Sequence, residues 1–185
     1  MIDLYLFSIT TQTLSSIIIG VGTGLASSFM FLWFLTTIRP KVRISTDIAE
    51  DTIFYEGETH KCFRCKVIND TWKSRIYDIE AQLVLIKYVT VDGGQNLFMD
   101  KIPLIKERTW SLNRYSKKDT HAEYAFQFIT IRDLYDIWDD NVNIELRIKA
   151  KHAFSGFTRT DNYRYFKTNC IKKGSFKFGN TMEIT

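Results

Sequence analysis

The residues best suited to chemistry lie late in the chain, where cations and aromatic rings are interleaved. Arg159, Tyr163, Arg164, Tyr165 and Lys167 follow a strand-like segment that carries Lys149, Lys151 and His152. Rings stack on flat groups such as bases, and Arg or Lys pairs with phosphate, so this mixture suits a nucleotide or another anionic ligand. The same residue types also make an ordinary solvent-facing sheet. Other chemistry is poorly provided for. The chain has no G-x-S-x-G, Walker A or G-x-G-x-x-G motif, and its glycine-rich run, Gly20-Val-Gly22-Thr-Gly24, lies inside an apolar stretch where it cannot cradle a phosphate. His60, His121 and His152 share no local motif and read as surface groups. Asp136, Asp139 and Asp140 surround Trp138 without the spacing of a calcium loop, as a solvated turn would. The expectation is a protein that acts by binding rather than catalysis, with no metal and no cofactor.

The three cysteines fit that expectation. Cys62 and Cys65 have C-x-x-C spacing, but they sit in KCFRCKVI, whose polar and apolar residues alternate as in a strand. Strand residues three apart point to opposite faces, so the two sulfurs cannot share a metal. A zinc site would need a second ligand pair, and only Cys170 and scattered histidines remain. An odd count makes no disulfide framework, which agrees with a reducing compartment.

The element that must position everything else is Leu14 to Ile38. No charged residue occurs between Asp3 and Arg39, and about 20 apolar helical residues cross a hydrocarbon core of ~30 Å. The stretch therefore predicts a transmembrane helix. Residues 1–13 carry no Lys or Arg, whereas Arg39, Lys41 and Arg43 follow the stretch at once. The positive-inside rule then places the amino terminus outside and the remainder in the cytoplasm. A cleavable signal peptide fits poorly, because it needs a basic leading region and a shorter apolar run. Within the helix Ser16, Gly20, Gly24 and Ser28 recur every four residues and share one face. Small residues there let a second backbone approach, as in G-x-x-x-G association, so a homo-oligomer is expected. The lipid bilayer is thus one partner, and a nucleotide or protein ligand another. The net charge of +4 is modest and spread out, and it gives no indication of DNA or RNA binding.

Past Pro40 the hydrophobic period changes to two. Strands are expected around Val42 and Ile44, from Phe63 to Ile68, from Arg75 to Thr90, from Asn96 to Leu104, and around Glu107 to Leu112. Others should run from Tyr124 to Ile129, from Asn143 to His152 and from Tyr163 to Phe166. Asp92-Gly93-Gly94 and Ser155-Gly156 mark hairpins. Asp51 to Thr59 reads as a turn, Thr130 to Asp139 as one short helix or a turn of 3₁₀, and Phe176, Phe178 and Met182 as a closing strand. The fold class is all-β, a sandwich or small barrel over 40–185, preceded by an anchor over 1–39.

The segments FRCKVIND from Phe63, RIYDIEAQLVLIKY from Arg75, AKHAFSGFTRTDNYRYF from Ala150 and GSFKFGN from Gly174 carry a resemblance. Together they resemble the cytoplasmic immunoglobulin-like domain of inward-rectifier potassium channels. That resemblance implies an immunoglobulin-like sandwich. It implies nothing about conduction, since those channels have two membrane helices and a T-x-G-[YF]-G filter, which this chain lacks. The architecture is also similar to anti-phage effectors that join membrane helices to a cytosolic β-domain. Two functions follow as expectations: a membrane-acting effector or sensor in phage defence, or a passive tethered adaptor for another protein.

The helix face can be tested directly. Replacing Gly20 and Gly24 with Ile should leave insertion intact, since Ile is at least as favourable as Gly in hydrocarbon. Membrane contacts of ~0.6 kcal/mol each, lost along one face, should lower crosslinked oligomer about tenfold. Equal crosslinking by Gly20→Ile/Gly24→Ile and the unaltered chain would leave the helix as an anchor only.

Overall fold

The computed structural model describes residues 2–71, 74–139, 141–166 and 168–185. The chain divides after Ile38 into two units. The first is a single helix, α1 (Ile2–Thr37). It continues the expected span back through the mixed amino-terminal residues, and 36 residues make a rod of about 54 Å. Its segment Thr13–Thr37 is long and apolar enough to cross a membrane. Side chains from Thr13 to Phe34 are exposed on every side, a surface that only another apolar medium matches. Hydroxyls within it are satisfied by the helix itself: Thr23 Oγ1 donates to the Ile19 carbonyl at 2.8 Å and Ser28 Oγ to the Gly24 carbonyl at 2.8 Å.

The second unit is built of strands. They are β1 (Val42–Ile44), β2 (Ile48–Tyr55), β3 (Glu58–Asn69), β4 (Ile76–Val91), β5 (Gly94–Ile102) and β6 (Arg108–Leu112). The remainder are β7 (Ala125–Thr130), β8 (Val142–His152), β9 (Thr158–Tyr165) and β10 (Ile171–Lys173). In one sheet β3 is central, with β7 on one side and β1 and β2 on the other, and β10 adds to β2 in parallel. In the other sheet the long β4 pairs with β8 along one side and with β6 and then β5 along the other, and β9 closes the far edge on β8. Neither sheet closes on itself, so the barrel alternative is set aside. Phe63, Cys65, Val67 and Phe128 from the first sheet share one core with Ile79, Leu83, Ile144, Leu146 and Ile148 from the second. Alternation puts these residues on the facing sides.

Three expectations are corrected. Asp51 to Tyr55 is strand, because β2 pairs with β3 as far as Tyr55 and Glu58, leaving only Glu56-Gly57 as the turn. Both turn residues have positive φ, 51° and 91°, as a two-residue hairpin requires. Thr130 ends β7, and 131–139 forms bends and a turn, neither an α-helix nor a 3₁₀ turn. Thr130 Oγ1 accepts from the Arg132 N–H and Asp133 Oδ1 from the Tyr135 N–H, local bonds that compete with a helical ladder. Leu134 and Trp138, spaced for a helix face, are instead buried in the core. The closing strand is reduced to one bridge between Phe176 and Ile184, for a reason that lies in the cleft described below.

Two polar anchors tie the sheets together. The Tyr165 hydroxyl on β9, fully buried, donates to the Ser45 carbonyl at 2.9 Å. Asn69 Nδ2, at the end of β3, donates to the carbonyls of Leu112 and Asn113 at the end of β6, at 3.2 and 2.9 Å. Removing only the hydroxyl in Tyr165→Phe leaves a buried carbonyl unpaired and should cost about 1–2 kcal/mol. Denaturant unfolding of the chain in detergent measures it, and an unchanged midpoint would show that the bond contributes nothing net.

Candidate functional site

The β8–β9 constellation is adjacent in register, with Glu145 opposite Arg164, Leu146 opposite Tyr163 and Ile144 opposite Tyr165. Pleating nonetheless divides it between two faces. Lys149, Lys151 and Arg164 share the outward side with Glu145 and Arg147, whereas His152, Tyr163 and Tyr165 lie on the core side. Arg159, opposite Ala150, belongs to the core side but is exposed, and its Nε is held by Asp161 at 2.7 Å. Lys167 lies outside the described residues. Of the outward cations, Lys149, Arg147 and Arg164 are already occupied. Lys149 approaches Glu80 at 3.8 Å. Arg164 donates from Nε and Nη2 to Glu145 at 3.1 and 2.9 Å, and Arg147 Nε donates to the same carboxylate at 2.6 Å. Burial alone would raise the Glu145 pKa. The hydrogen bonds and charges of the two arginines outweigh it and hold the carboxyl below its ordinary value. This face is a self-neutralised network rather than an open anion site.

His152 is corrected as well. It is buried, not a surface group. Its Nδ1 lies 3.0 Å from Ser155 Oγ and accepts from the Ser155 N–H at 3.1 Å, shaping the β8–β9 turn, while Nε2 is buried without a partner among the described residues. Cys62 and Cys65 are both buried on opposite sides of β3's pleat, and burial pushes the Cys65 thiol up to about 12. Asp136 and Asp139 are exposed, and Asp140 lies outside the described residues.

The arrangement with an unmet chemical demand is on the outer face of the first sheet. The turn at Glu56-Gly57 fixes the β2–β3 register. That register sends Cys62, Arg64, Lys66 and Ile68 outward, beside Gln127 and Ala125 of β7. Ile68 packs with Ala122, Tyr124 and Met182 in a small second core. Next to it lies a cleft of about 340 Å³ lined by Arg64, Lys66, Phe126, Gln127, Phe176 and Phe178, with His121 and Lys177 among its remaining wall residues.

Lys66 is only 3% exposed. Its ammonium donates to the carbonyls of Lys177, Gly179 and Thr181 at 2.7, 2.8 and 2.8 Å. Three alternate carbonyls of the carboxy-terminal segment thus turn to one cation, which draws Lys177 to Thr181 out of strand pairing, while the carbonyls of Ser175, Glu183 and Thr185 still accept from backbone N–H groups of the same segment. Gly179 adopts φ +90°, which L side chains disfavour, to bring its carbonyl round. Burial lowers the Lys66 pKa below its ordinary value, and the charge of Arg43 lowers it further. Arg43, expected only as a topology signal, also grips this segment through the Asn180 side chain.

Arg64 Nη2 lies 3.2 Å from the Asp51 carboxylate and donates to the Thr52 carbonyl at 3.1 Å, but its Nε is buried without an acceptor. Gln127 Oε1 is likewise buried without a donor among the described residues. Phe176 covers Lys66, whose ammonium is 6.0 Å from the ring centre, and Phe178 is exposed at the rim. Sequence reasoning missed this cleft. Its only signal was the cation–apolar alternation FRCKVI, indistinguishable from any edge of a sheet.

No protein-family model and no curated protein matches the chain. Among solved structures, Spo0M, the sporulation control protein of Bacillus subtilis, aligns at 18% identity over 69% of this chain and 49% of Spo0M, with a TM-score of 0.38. The matched part therefore spans about half of Spo0M. A structural-genomics target, SoR45, aligns at 11% identity over 70% of this chain and 87% of its own, with a TM-score of 0.30. At these scores neither likeness bears on the fold or the function.

The buried histidine gives a pH test. Burial depresses the His152 pKa below 6.5, so the unfolded chain takes up a proton before the folded chain does. Stability should hold above about pH 6.5 and fall as pH drops through the folded value. His152→Gln should melt lower at neutral pH yet lose that part of the slope between about pH 7 and pH 5. Parallel melting curves for both proteins across that range would overturn the assignment.

Proposed function

We propose that the chain is a single-pass membrane protein whose cytoplasmic β-domain, an immunoglobulin-like sandwich, binds a ligand and whose helix self-associates. In this reading it is a membrane-acting effector or sensor of the kind phage defence employs, in which ligand recognition is coupled to clustering in the bilayer. The observation that carries the reading is the division of labour between the units. The β-domain's core is complete from its own residues, while the helix offers an uncovered apolar surface from Thr13 to Phe34. Such a surface is supported by lipid or by another helix. On one side of it Gly20 and Gly24 present no side chain, which favours close approach of a second backbone. Arg39, Lys41 and Arg43 favour a cytoplasmic β-domain.

One observation favours the second reading, a tethered adaptor. The β4–β5 hairpin exposes Tyr88, Leu97 and Met99 on one face and Val89, Val91 and Phe98 on the other, apolar surface suited to a protein partner. Replacing residues 14–38 with an unrelated polyleucine span separates the two. An effector should lose oligomer crosslinking and clustering of a fluorescent fusion, whereas a tether should keep its function unchanged. Protease added outside intact cells should leave the β-domain whole, and its digestion would reverse the orientation.

A further inference from the structure

We propose that the cleft over β3 and β7 binds a small organic anion carrying a flat ring, of about the size of a nucleoside monophosphate. This rests on the reading of the β-domain as a ligand-binding module and names the site and the chemical class.

Charge is the first argument. Lys66 has no carboxylate at ion-pair distance among the described residues, and what holds it is carbonyl oxygen. The nearby carboxylates are already engaged: Asp51 by Arg64 and Ser175, Glu183 by Lys177 at 2.7 Å. Carbonyl dipoles satisfy the hydrogen bonds of a buried ammonium but leave its net charge uncompensated, and burying such a charge without a counter-ion is costly. An anion in the cleft supplies the missing charge.

Unmet hydrogen bonds are the second. Arg64 Nε carries a buried N–H with no acceptor, and Gln127 has a buried Oε1 with no donor. Buried polar groups are almost always paired, so orphans that line one cavity mark where a ligand's own groups belong. The Arg64 N–H matches an anionic oxygen, and Gln127 matches the polar edge of a ring. The ammonium of Lys66, with its three protons committed, acts through its field.

Shape is the third. Phe178 lines the cleft and is exposed at its rim, and an aromatic ring with its face free is a platform for a planar group. A volume of about 340 Å³ is at the small end of the range for ligand sites. An anion without a ring would leave the Phe178 face bare, and a ring without charge would leave Lys66 uncompensated.

The test is calorimetric titration of AMP, adenosine and inorganic phosphate into the full chain in nanodiscs. AMP should bind with Kd below about 1 mM, and each of its halves at least about tenfold more weakly. Added salt should weaken AMP binding. Arg64→Gln should raise the Kd about tenfold through loss of a charge-assisted bond. Phe178→Ala, at an exposed ring that folding does not need, should raise it several-fold. Lys149→Gln, on the other sheet, should leave it unchanged. No AMP binding up to about 1 mM, equal binding of AMP and adenosine, or binding indifferent to both Arg64→Gln and Phe178→Ala would each overturn the proposal. Helix crosslinking is read separately, so loss of self-association with AMP binding intact would remove the effector reading and leave the site standing.

Discussion

A single ammonium organises the outer layer of the β-domain. Lys66 reaches through three carbonyls of the carboxy-terminal segment, spaced two residues apart, and holds that segment across the first sheet. The backbone groups around it follow from the same point. The Ser45 N–H donates to the Lys66 carbonyl at 2.8 Å, the Lys66 N–H donates to Ser45 Oγ at 3.1 Å, and the Ser45 carbonyl receives the buried hydroxyl of Tyr165. One short stretch of β3 therefore fixes the exit from β1, the far sheet through β9, and the carboxy-terminal segment. Burying a charge among dipoles is expensive unless geometry is nearly ideal, which constrains every element that contributes an oxygen.

The two outer faces of the domain treat charge in opposite ways. On the second sheet Glu145 sits between Arg147 and Arg164, a carboxylate with two cations and a depressed pKa. On the first sheet the cations of β1 and β3 meet carbonyls, an amide and only partial carboxylate cover. A neutralised network rigidifies a surface. A surplus of buried positive charge beside a cavity is a standing demand for an anion. Similar cations thus give a self-paired face in one place and a buried ammonium without a carboxylate in the other, and the difference lies in which side of the pleat a carboxylate happens to share.

Strand pairing over long sequence distances decided the rest. β10 adds to β2 in parallel, Ile171 beside Ile48, although only three residues long. It brings the chain to Gly174, whose φ of +124° turns it against the Thr185 carbonyl; a Cβ at that position would stand 2.0 Å from the carbonyl oxygen. A glycine there closes the tail on itself. Without that closure the carbonyls that serve Lys66 would not be held in a row.

The sequence by itself determined the elements with strong local physics. An uninterrupted apolar run makes a helix that cannot be soluble alone, alternation of period two makes β3, β4 and β8, and Asp92-Gly93 makes a hairpin because only such residues take its turn. It also determined that Cys62 and Cys65 face apart. Local signals failed where distant partners outweighed them. Leu134 and Trp138 carry helical spacing yet are core plugs between turns, and Phe176 to Met182 alternates like a strand yet gives its carbonyls to a lysine 111 residues earlier. The placement of Arg64, Lys66 and Gln127 around one cleft was decided by register between β3 and β7, and the wall opposite them by the tail. Alternation says which residues share a face of one strand. Which face is left with charge and no counter-charge depends on what packs against it, and that is a property of the tertiary structure alone.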